Sequence, residues 1–524
     1  MALELIRDLI KIDQVIGEEM TQAVVEGDVV VPDSKPDVDK IVSLNGWVVI
    51  TDREAVEDKV IVDGVVNVKS LYISYEGEQA LHHLEGSFGF TQQIDLPGAS
   101  GRMDAEVKAD IEHLDFGMIN SRKLNVKCVL NLTGKVSEKS EVDVIRDIKG
   151  VGDIQVLRDH LEISDTAGEG ASRVTVRQEF EIPADLPAIK EILSTDISLG
   201  ERDSGISEDR VSIRGILNIA TLYIGNDEEG SINSVKYQVP FSHYIEMAGV
   251  MPGMREKVRC LVEDFYSTVK ENEEGQNRII EYEAVVKAEG RVETVRPTEV
   301  LVDAYSPTVS LEAFKSKIRF KRALDSLRDE IAVKEELGLP ADFPQIKEIC
   351  DVKAAPVLTD FGAYEDRAVV EGVLSIQALY LTTDSEEPMC LYKDEIPFRH
   401  SVQLSDGGQP VDLDVDLYLE DLQHRVLDAD LLEIRAKVRV DMDVYSTLEK
   451  EVLLDVEEVE PAEKREQPSI VVYFIQPGDN LWKIAKRFNT TIEELVKANN
   501  IEDPENLAPG DKLIISRMLK YQLS

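Results

Sequence analysis

The sequence predicts a mostly β protein in which three tandem β-rich domains are followed by a small β-α-α-β domain. The first 450 or so residues repeat one set of landmarks three times, and apolar residues alternate with polar ones inside each repeat. Apolar residues at helical spacing mark a short region after residue 470. The predicted division is 1–150, 151–307 and 308–456 for the repeats, 457–469 for a charged linker and 470–516 for the terminal domain.

A proline motif opens each repeat, as "VPDSKPDVDKI", "IPADLPAIKEI" and "LPADFPQIKEI". Its second proline is Pro36, Pro187 or Pro344, and a tyrosine follows 36 residues later in every copy. The landmarks that keep this register are Tyr72, Tyr223 and Tyr380; Phe90, Phe241 and Phe398; Val107, Val258 and Val415; and Glu112, Glu263 and Glu420. A register without gaps over this span indicates an internal triplication.

Alternation with a period of two predicts strands, for example over 411–419 and 434–444 in the third repeat. One face of such a strand lies on a core and the other faces water. Gly64, Gly215 and Gly372 interrupt the matching strands and predict a bulge or a close backbone approach. The proline motif is expected to open a short helix, because proline is favoured at a first helical position. Each repeat is therefore predicted to be a sandwich or open barrel with one small helix.

Composition excludes several classes of function. The 524 residues include 102 acids and 58 Lys or Arg, a net charge of −44 that repels nucleic acid and anionic lipid. The four cysteines form no CxxC pair, as expected for reduced thiols in the cytosol. Neither a basic leader with an apolar stretch nor an apolar run of ~18 residues is present, so we expect a soluble cytoplasmic protein without a transmembrane segment.

The sequence lacks the common motifs of catalytic, metal-binding and phosphate-binding sites. It contains no GxSxG, HExxH or phosphate-binding GxxxxGK motif. The seven histidines are scattered, and the adjacent pair His82 and His83 would point to opposite faces of a strand. We therefore predict a protein that is not an enzyme, with no catalytic residue, no metal and no other cofactor.

The repeats resemble a known domain. The pattern P-x-x-x-P-x-I-x-x-I, followed by the strand G-x-L-x-I-x-x-L-Y, is similar to the SPOCS domain of spore-coat-associated proteins in endospore-forming bacteria. The resemblance covers about residues 1–450, and the first copy departs most, with Lys35, Pro36, Asp37 and Val38 in the motif.

The terminal region has its own pattern of elements. The linker 457–469 is rich in charge and carries two prolines, which is typical of an extended tether. A strand over 470–475 precedes Pro477 and Gly478, and Asn480 is a good N-cap for a first helix. Thr491 followed by Glu494 forms a capping box that starts a second helix, and "KLIIS" is the last strand.

This unit looks like a LysM domain over its full length. The pairs Gly478-Asp479, Leu481-Trp482, Asn499-Asn500 and Pro509-Gly510 fall in register, and Asn480 stands where the family more often has Thr or Ser. LysM domains bind glycans that contain N-acetylglucosamine. The resemblance implies a groove formed by Gly478, Asp479, Asn480 and Leu481 on one side and Asn500, Ile501, Glu502 and Pro504 on the other.

Some of these residues also have simpler structural roles. Gly478 is expected as a turn residue, Asn480 as a cap and Trp482 as part of the core. Asp479, Asn500 and Ile501 are therefore the preferred ligand contacts.

The order of domains resembles the SipL type of spore coat morphogenetic protein and, more distantly, the SpoVID type. This resemblance implies a mother-cell scaffold at the forespore surface that links a SpoIVA-like coat basement ATPase to other coat proteins. Without an export signal, the LysM groove is expected to recognise a protein, or to reach peptidoglycan only after the forespore membrane is breached. The alternative is an exported peptidoglycan-binding wall protein or an accessory of a wall hydrolase.

Overall fold

A computed structural model describes residues 3–75, 79–228, 230–384, 387–404, 411–459, 470–501, 503–504 and 507–516. The first repeat contains β1 (Glu4–Val30), β2 (Lys40–Val56), β3 (Lys59–Ile73), β4 (Leu81–Asp95), β5 (Asp104–Asn120) and β6 (Lys123–Lys149). The second contains β7 (Gln155–Glu181), β8 (Ile189–Ser207), β9 (Arg210–Gly225), β10 (Ile232–Glu246), β11 (Arg255–Glu271) and β12 (Asn277–Tyr305). The third contains β13 (Leu311–Gly338), β14 (Ile346–Tyr364), β15 (Arg367–Thr382), β16 (Met389–Gln403), β17 (Asp412–Asp428) and β18 (Leu431–Glu458).

Each repeat is a sandwich of two three-stranded antiparallel sheets. In the first repeat the sheets have the strand orders β1-β6-β5 and β2-β3-β4, and the other repeats follow the same order. The inner faces of the two sheets form one core per repeat. The alternating residues Ile434, Ala436 and Val438 of β18 all lie in the third core, as the period of two predicts.

The three glycines of the middle strands lie beneath phenylalanines. Phe90, Phe241 and Phe398 are the cross-strand partners of Gly64, Gly215 and Gly372. An added Cβ would lie 2.5, 2.8 and 2.6 Å from the respective rings. The neighbouring strand also carries a register shift opposite each glycine. Both the close approach and the bulge predicted from these glycines are confirmed.

The short helix predicted at the proline motif is wrong. In the second repeat Leu186 N donates to Pro183 O at 3.1 Å to close a turn, and the chain then enters β8 at Ile189. A residue before proline is disfavoured in the α region, so two prolines four positions apart resist a helix across the motif. Ile189 is also buried, and it pairs with Gly225 of β9. The stabilisation from strand pairing in the sheet therefore outweighs the helix propensity of the motif.

The three repeats pack around a common pseudo-threefold axis. Their first and last strands extend beyond the sandwiches as two-stranded ribbons, β1 with β6, β7 with β12 and β13 with β18. The three ribbons converge into what we call the stalk. The stalk core contains equivalent residues from every repeat: Ile10, Leu161 and Ile318; Ile12, Ile163 and Phe320; and Val144, Val300 and Val452.

A second shared core joins the sheets of the three repeats. It is built from the equivalent positions Leu71, Leu222 and Leu379; Ile73, Ile224 and Leu381; and Val42, Leu193 and Cys350. These residues lie on the strand faces that the alternating pattern predicted to be exposed to solvent. Burial of this second face makes the repeats one assembly.

Ion pairs follow the same symmetry along the stalk. Each repeat contributes one base at equivalent positions and one aspartate at equivalent positions, and each base binds the aspartate of the preceding repeat in a closed ring. The bridges are Arg158–Asp147 at 2.8 Å, Lys315–Asp303 at 3.2 Å and Arg7–Asp455 at 3.2 Å.

Charges differ among the repeats at another threefold position. Lys108, Arg259 and Asp416 are equivalent by register, yet they are two bases and one acid. The Asp416 carboxylate forms ion pairs with Lys108 at 3.0 Å and Arg259 at 3.1 Å, and its side chain is only 13% exposed. Three equivalent positions thus meet in one cluster of opposite charges, which Lys257 joins at 3.1 Å from Asp416.

The terminal domain has the predicted β-α-α-β order, with β19 (Ile470–Phe474), α1 (Leu481–Phe488), α2 (Ile492–Asn499) and β20 (Lys512–Ser516). Asn480 caps α1, and Thr491 with Glu494 forms the predicted capping box of α2. The predicted linker 457–469 begins inside β18, which continues to Glu458, and residues 460–469 lie outside the described residues. Among the described residues, no helix has both the length and the hydropathy that a membrane span requires.

Candidate functional site: the groove and the stalk corner

The first side of the predicted groove is the loop between β19 and α1. Gly478 takes a φ of +86°, which a residue with a side chain rarely adopts, so the turn requires glycine here. The Asp479 carboxylate accepts hydrogen bonds from Tyr473 Oη at 2.7 Å and Gln476 N at 2.8 Å. The hydrogen bond from Tyr473 is the main cause that lowers the pKa of Asp479. This carboxylate therefore remains charged while it holds the loop together.

The next two residues differ in exposure. Asn480 is exposed, and its side-chain oxygen accepts the Lys483 N–H at 2.8 Å. Leu481 is 3% exposed and lies in the core of the terminal domain. The structure thus places the side chain of Leu481 away from solvent, and a ligand could meet this residue only through its backbone.

The second side of the predicted groove follows α2. Asn500 is exposed and takes a left-handed φ of 51° as the C-cap of α2. Ile501 is half-buried against the domain core, while Pro504 is exposed. Glu502 lies outside the described residues. An exposed amide beside a half-buried apolar side chain suits a sugar N-acetyl group, which carries both a polar amide and a methyl.

A second feature, missed by the sequence analysis, joins the terminal domain to the stalk. Trp482 is 8% exposed, and its Nε1 donates to Asp303 Oδ2 at 2.8 Å. Lys486, one helical turn further along α1, donates from Nζ to Asp303 Oδ1 at 2.6 Å. Lys315 reaches the same carboxylate at 3.2 Å. One buried aspartate of the second repeat therefore binds three side-chain donors, in addition to the Ala304 N–H at 3.1 Å.

Tyr305 completes this contact. Its hydroxyl donates to the Thr490 carbonyl at 2.9 Å, and its ring packs edge-on against Trp482 with 5.0 Å between centroids. Burial raises the pKa of Tyr305 to about 12, so the hydroxyl keeps its proton at neutral pH. We call Asp303, Tyr305 and Lys315 the stalk corner.

The charge of Asp303 reflects two opposing effects. Burial acts to raise the pKa of its carboxyl, but the hydrogen bonds from Lys486 and Trp482 outweigh burial and lower the pKa below the ordinary value. The corner therefore holds a charged acceptor for the indole N–H. One signal in the sequence points to it: Tyr305 stands where the other repeats carry Lys149 and Glu457.

Across the ranges that the structure describes, no group of three or more His, Cys, Asp or Glu side chains is placed to hold a metal ion. A cavity of about 40 Å³ lies between the repeats, lined by polar groups that include Ser70, Ser194 and Thr221. At this size it has room for a few water molecules.

Comparison with known protein families agrees with this domain order. The model described as "SipL, SPOCS domain" matches residues 37–119, 188–270 and 345–427, and the LysM domain model matches residues 473–516. The comparisons with curated proteins and with solved structures gave no match. SPOCS and LysM domains are binding or scaffold domains, and LysM domains suggest binding to peptidoglycan or another carbohydrate. The chain belongs to the proteins that combine three SPOCS domains with one C-terminal LysM domain.

Proposed function

We propose that this protein is a non-enzymatic scaffold for spore coat assembly at the forespore surface in the mother cell. Its LysM domain would tether coat proteins there by binding a coat protein such as a SpoIVA-like basement ATPase. The observation that carries the proposal is the pairing of three SPOCS matches with one LysM match in a single chain. We also propose the domain division at 1–150, 151–307 and 308–456, with the third repeat extended to Glu458.

The distribution of charge supports a tethering role. Residues 470–520 carry seven acids and seven bases, so the net charge of −44 lies upstream of the terminal domain. The three repeats together, which we call the body, are strongly anionic and are repelled by other anionic surfaces. A neutral domain approaches such surfaces without this electrostatic repulsion. The LysM domain is therefore the part of the chain best suited to close contact with an anionic surface.

The shape of the body also supports a scaffold. Three sandwiches in one assembly present several outer strands, and an outer strand offers backbone groups to which a partner can add. Several sites on one body raise the effective concentration of each partner for the others. A scaffold of this kind requires no catalytic residues in the body.

A truncation in sporulating cells tests the scaffold. We expect removal of residues 470–524 to leave the three-repeat body folded and to release coat proteins from the forespore, seen by imaging of labelled coat. A coat that encases the forespore normally without the LysM domain would contradict the proposal.

Binding to peptidoglycan is the second candidate function, favoured by the exposed amide of Asn500 beside Ile501. The discriminating experiment is a pull-down on purified peptidoglycan with the full chain, an Asn500→Ala and Ile501→Ala double variant, and Lys497→Ala as the control on the exposed face of α2. Retention of the parent and the control with loss of the double variant would favour glycan binding. Absence of retention, together with capture of a coat ATPase, would favour the coat scaffold.

A further inference from the structure

We propose that the stalk corner of Asp303, Tyr305 and Lys315 is a dedicated intramolecular binding site for helix α1 of the LysM domain. The LysM domain would then be held on the body in one orientation, as a fixed head. This inference does not depend on which ligand the groove takes.

The chemistry of the corner suits an indole and an ammonium group together. The Trp482 indole has a single donor, and burial would cost free energy if that donor lacked an acceptor. Asp303 is 7% exposed and supplies a charged acceptor at 2.8 Å, while Lys486 compensates the charge at 2.6 Å. Hydrogen bonds to a charged group are stronger than those between neutral groups. The indole N–H and the Asp303 carboxylate are thus both removed from water and both hydrogen-bonded.

The contact uses one edge of α1. Trp482 and Lys486 are four residues apart and therefore lie on the same helical face. The Thr490 carbonyl, just past the end of α1, extends this edge to the hydroxyl of Tyr305. Three successive points along one helix are held, which restricts rotation as well as translation of the domain.

The three stalk positions show that the site is specific. Asp303 has the equivalents Asp147 and Asp455, which complete the ring of ion pairs in the other repeats. Tyr305 has no such equivalent, because Lys149 and Glu457 occupy its position and both are exposed. The pseudo-threefold body therefore offers three similar corners, and one of them carries the aromatic ring that packs on Trp482.

The docked state leaves residues of the predicted groove exposed. Gly478, Asn480, Asn500 and Pro504 are all exposed while Trp482 and Tyr305 are buried. The face of α1 that binds the stalk and the loops that form the groove are therefore separate surfaces. A ligand can bind the groove without releasing the head.

The experiment follows Trp482 by fluorescence. The chain has two tryptophans, so a Trp47→Phe background makes Trp482 the single emitter. In that background we compare the parent with Tyr305→Lys, which introduces the residue of the first repeat, and with Lys149→Ala as the matched control in the first repeat. Acrylamide quenching of Trp482 should rise severalfold in Tyr305→Lys and stay at the parent value in the control.

A second variant distinguishes release of the LysM domain from unfolding of the body. Lys486→Glu lies on the LysM side and removes the ammonium group that binds Asp303, without altering the body. It should also raise quenching, and small-angle scattering should show a larger radius of gyration with unchanged circular dichroism. If both variants keep the low quenching and the radius of the parent, the corner does not hold the head and the proposal is wrong.

Discussion

The hydroxyl of Tyr223 donates a hydrogen bond of 3.2 Å to the carbonyl oxygen of Pro187, 36 residues earlier. Tyr72 makes the same bond to Pro36 at 3.0 Å, and Tyr380 makes it to Pro344 at 2.9 Å. The fixed spacing of these landmarks thus has a physical cause. The tyrosine of the middle strand closes the proline turn that leads into the first strand of its sheet.

Replacement of Tyr223 by Phe should destabilise the protein. Tyr223 is fully buried, and burial raises the pKa of its hydroxyl to about 12, so the lost group is a neutral donor. The Pro187 carbonyl would be left without this partner, at a cost of about 1–3 kcal/mol in the free energy of unfolding. Urea denaturation followed by circular dichroism measures this loss. Tyr244→Phe, at an exposed tyrosine of the same repeat, should leave the midpoint unchanged.

Gly215→Ala should be destabilising through overpacking. The new Cβ would lie 2.8 Å from two ring carbons of Phe241, so the ring or the strand must move. Such insertions cost about 1–3 kcal/mol. Gly89→Ala is the matched control, because an added Cβ at that strand position meets no atom of the described residues within 4 Å. Equal thermal midpoints for the two variants would contradict the role of the phenylalanine.

Asp416→Ala should weaken the assembly of the three repeats. The change removes the carboxylate that Lys108 binds at 3.0 Å and Arg259 at 3.1 Å, whereas Lys257 keeps its pair with Asp414 at 2.8 Å. Because these bases are 30–43% exposed, water can solvate them once the carboxylate is gone, and the expected cost is about 1–3 kcal/mol. The free energy of unfolding in urea should fall by this amount, whereas Glu395→Ala, at an exposed acid of the third repeat, should have little effect.

The same carboxylate predicts a dependence on pH. Burial acts to raise the pKa of Asp416, but Lys257, Arg259 and Lys108 outweigh burial and hold the pKa well below its ordinary value. Its stabilising contribution is therefore complete above the unfolded pKa of about 3.9 and is lost as the pH falls through the lowered pKa. Denaturation at pH 7 and pH 3 should show a smaller pH effect in Asp416→Ala than in the parent.

Docking of the LysM head should weaken in acid for the same reason. The pKa of Asp303 is lowered while Trp482 and Lys486 are bound, so binding is strongest with the carboxylate charged. Docking should be constant from neutral pH down to about pH 4, the ordinary range for Asp, and weaken below it. Trp482 quenching against pH measures this, and Asp303→Asn should abolish the transition. A transition that persists in Asp303→Asn would assign it to another group.

Local features of the fold could be predicted from the sequence. Alternation predicted the strands of each repeat, and Gly215 predicted a bulge or a close approach, but not that Phe241 is the residue that lies against it. The landmark glutamates Glu112, Glu263 and Glu420 could be aligned, but their role could not. Each occupies a register shift of its strand, a bulge that depends on the partner strand as well as on the residue itself.

Long-range features could not be predicted. The shared core of Leu71, Leu222 and Leu379 lies on strand faces whose pattern matches any half-buried sheet, so the sequence carries no sign that three repeats meet there. Asp303 lies 179 residues from Trp482 and is one of 102 acids. In the groove, Gly478 and Asn480 have the local roles their residue types suggest, while the burial of Leu481 depends on the whole domain.

The closed ring of ion pairs along the stalk has a consequence for the history of the gene. A linear array of repeats gains or loses units at its ends, because every unit contacts only its neighbours. Here the third repeat binds the first through Arg7 and Asp455, so the array has no free end at which a unit could be added. Duplication or deletion of a single copy would break the circle. A change in the number of copies would have to reopen this ring, whereas substitutions such as the bases and the acid at Lys108, Arg259 and Asp416 leave it closed.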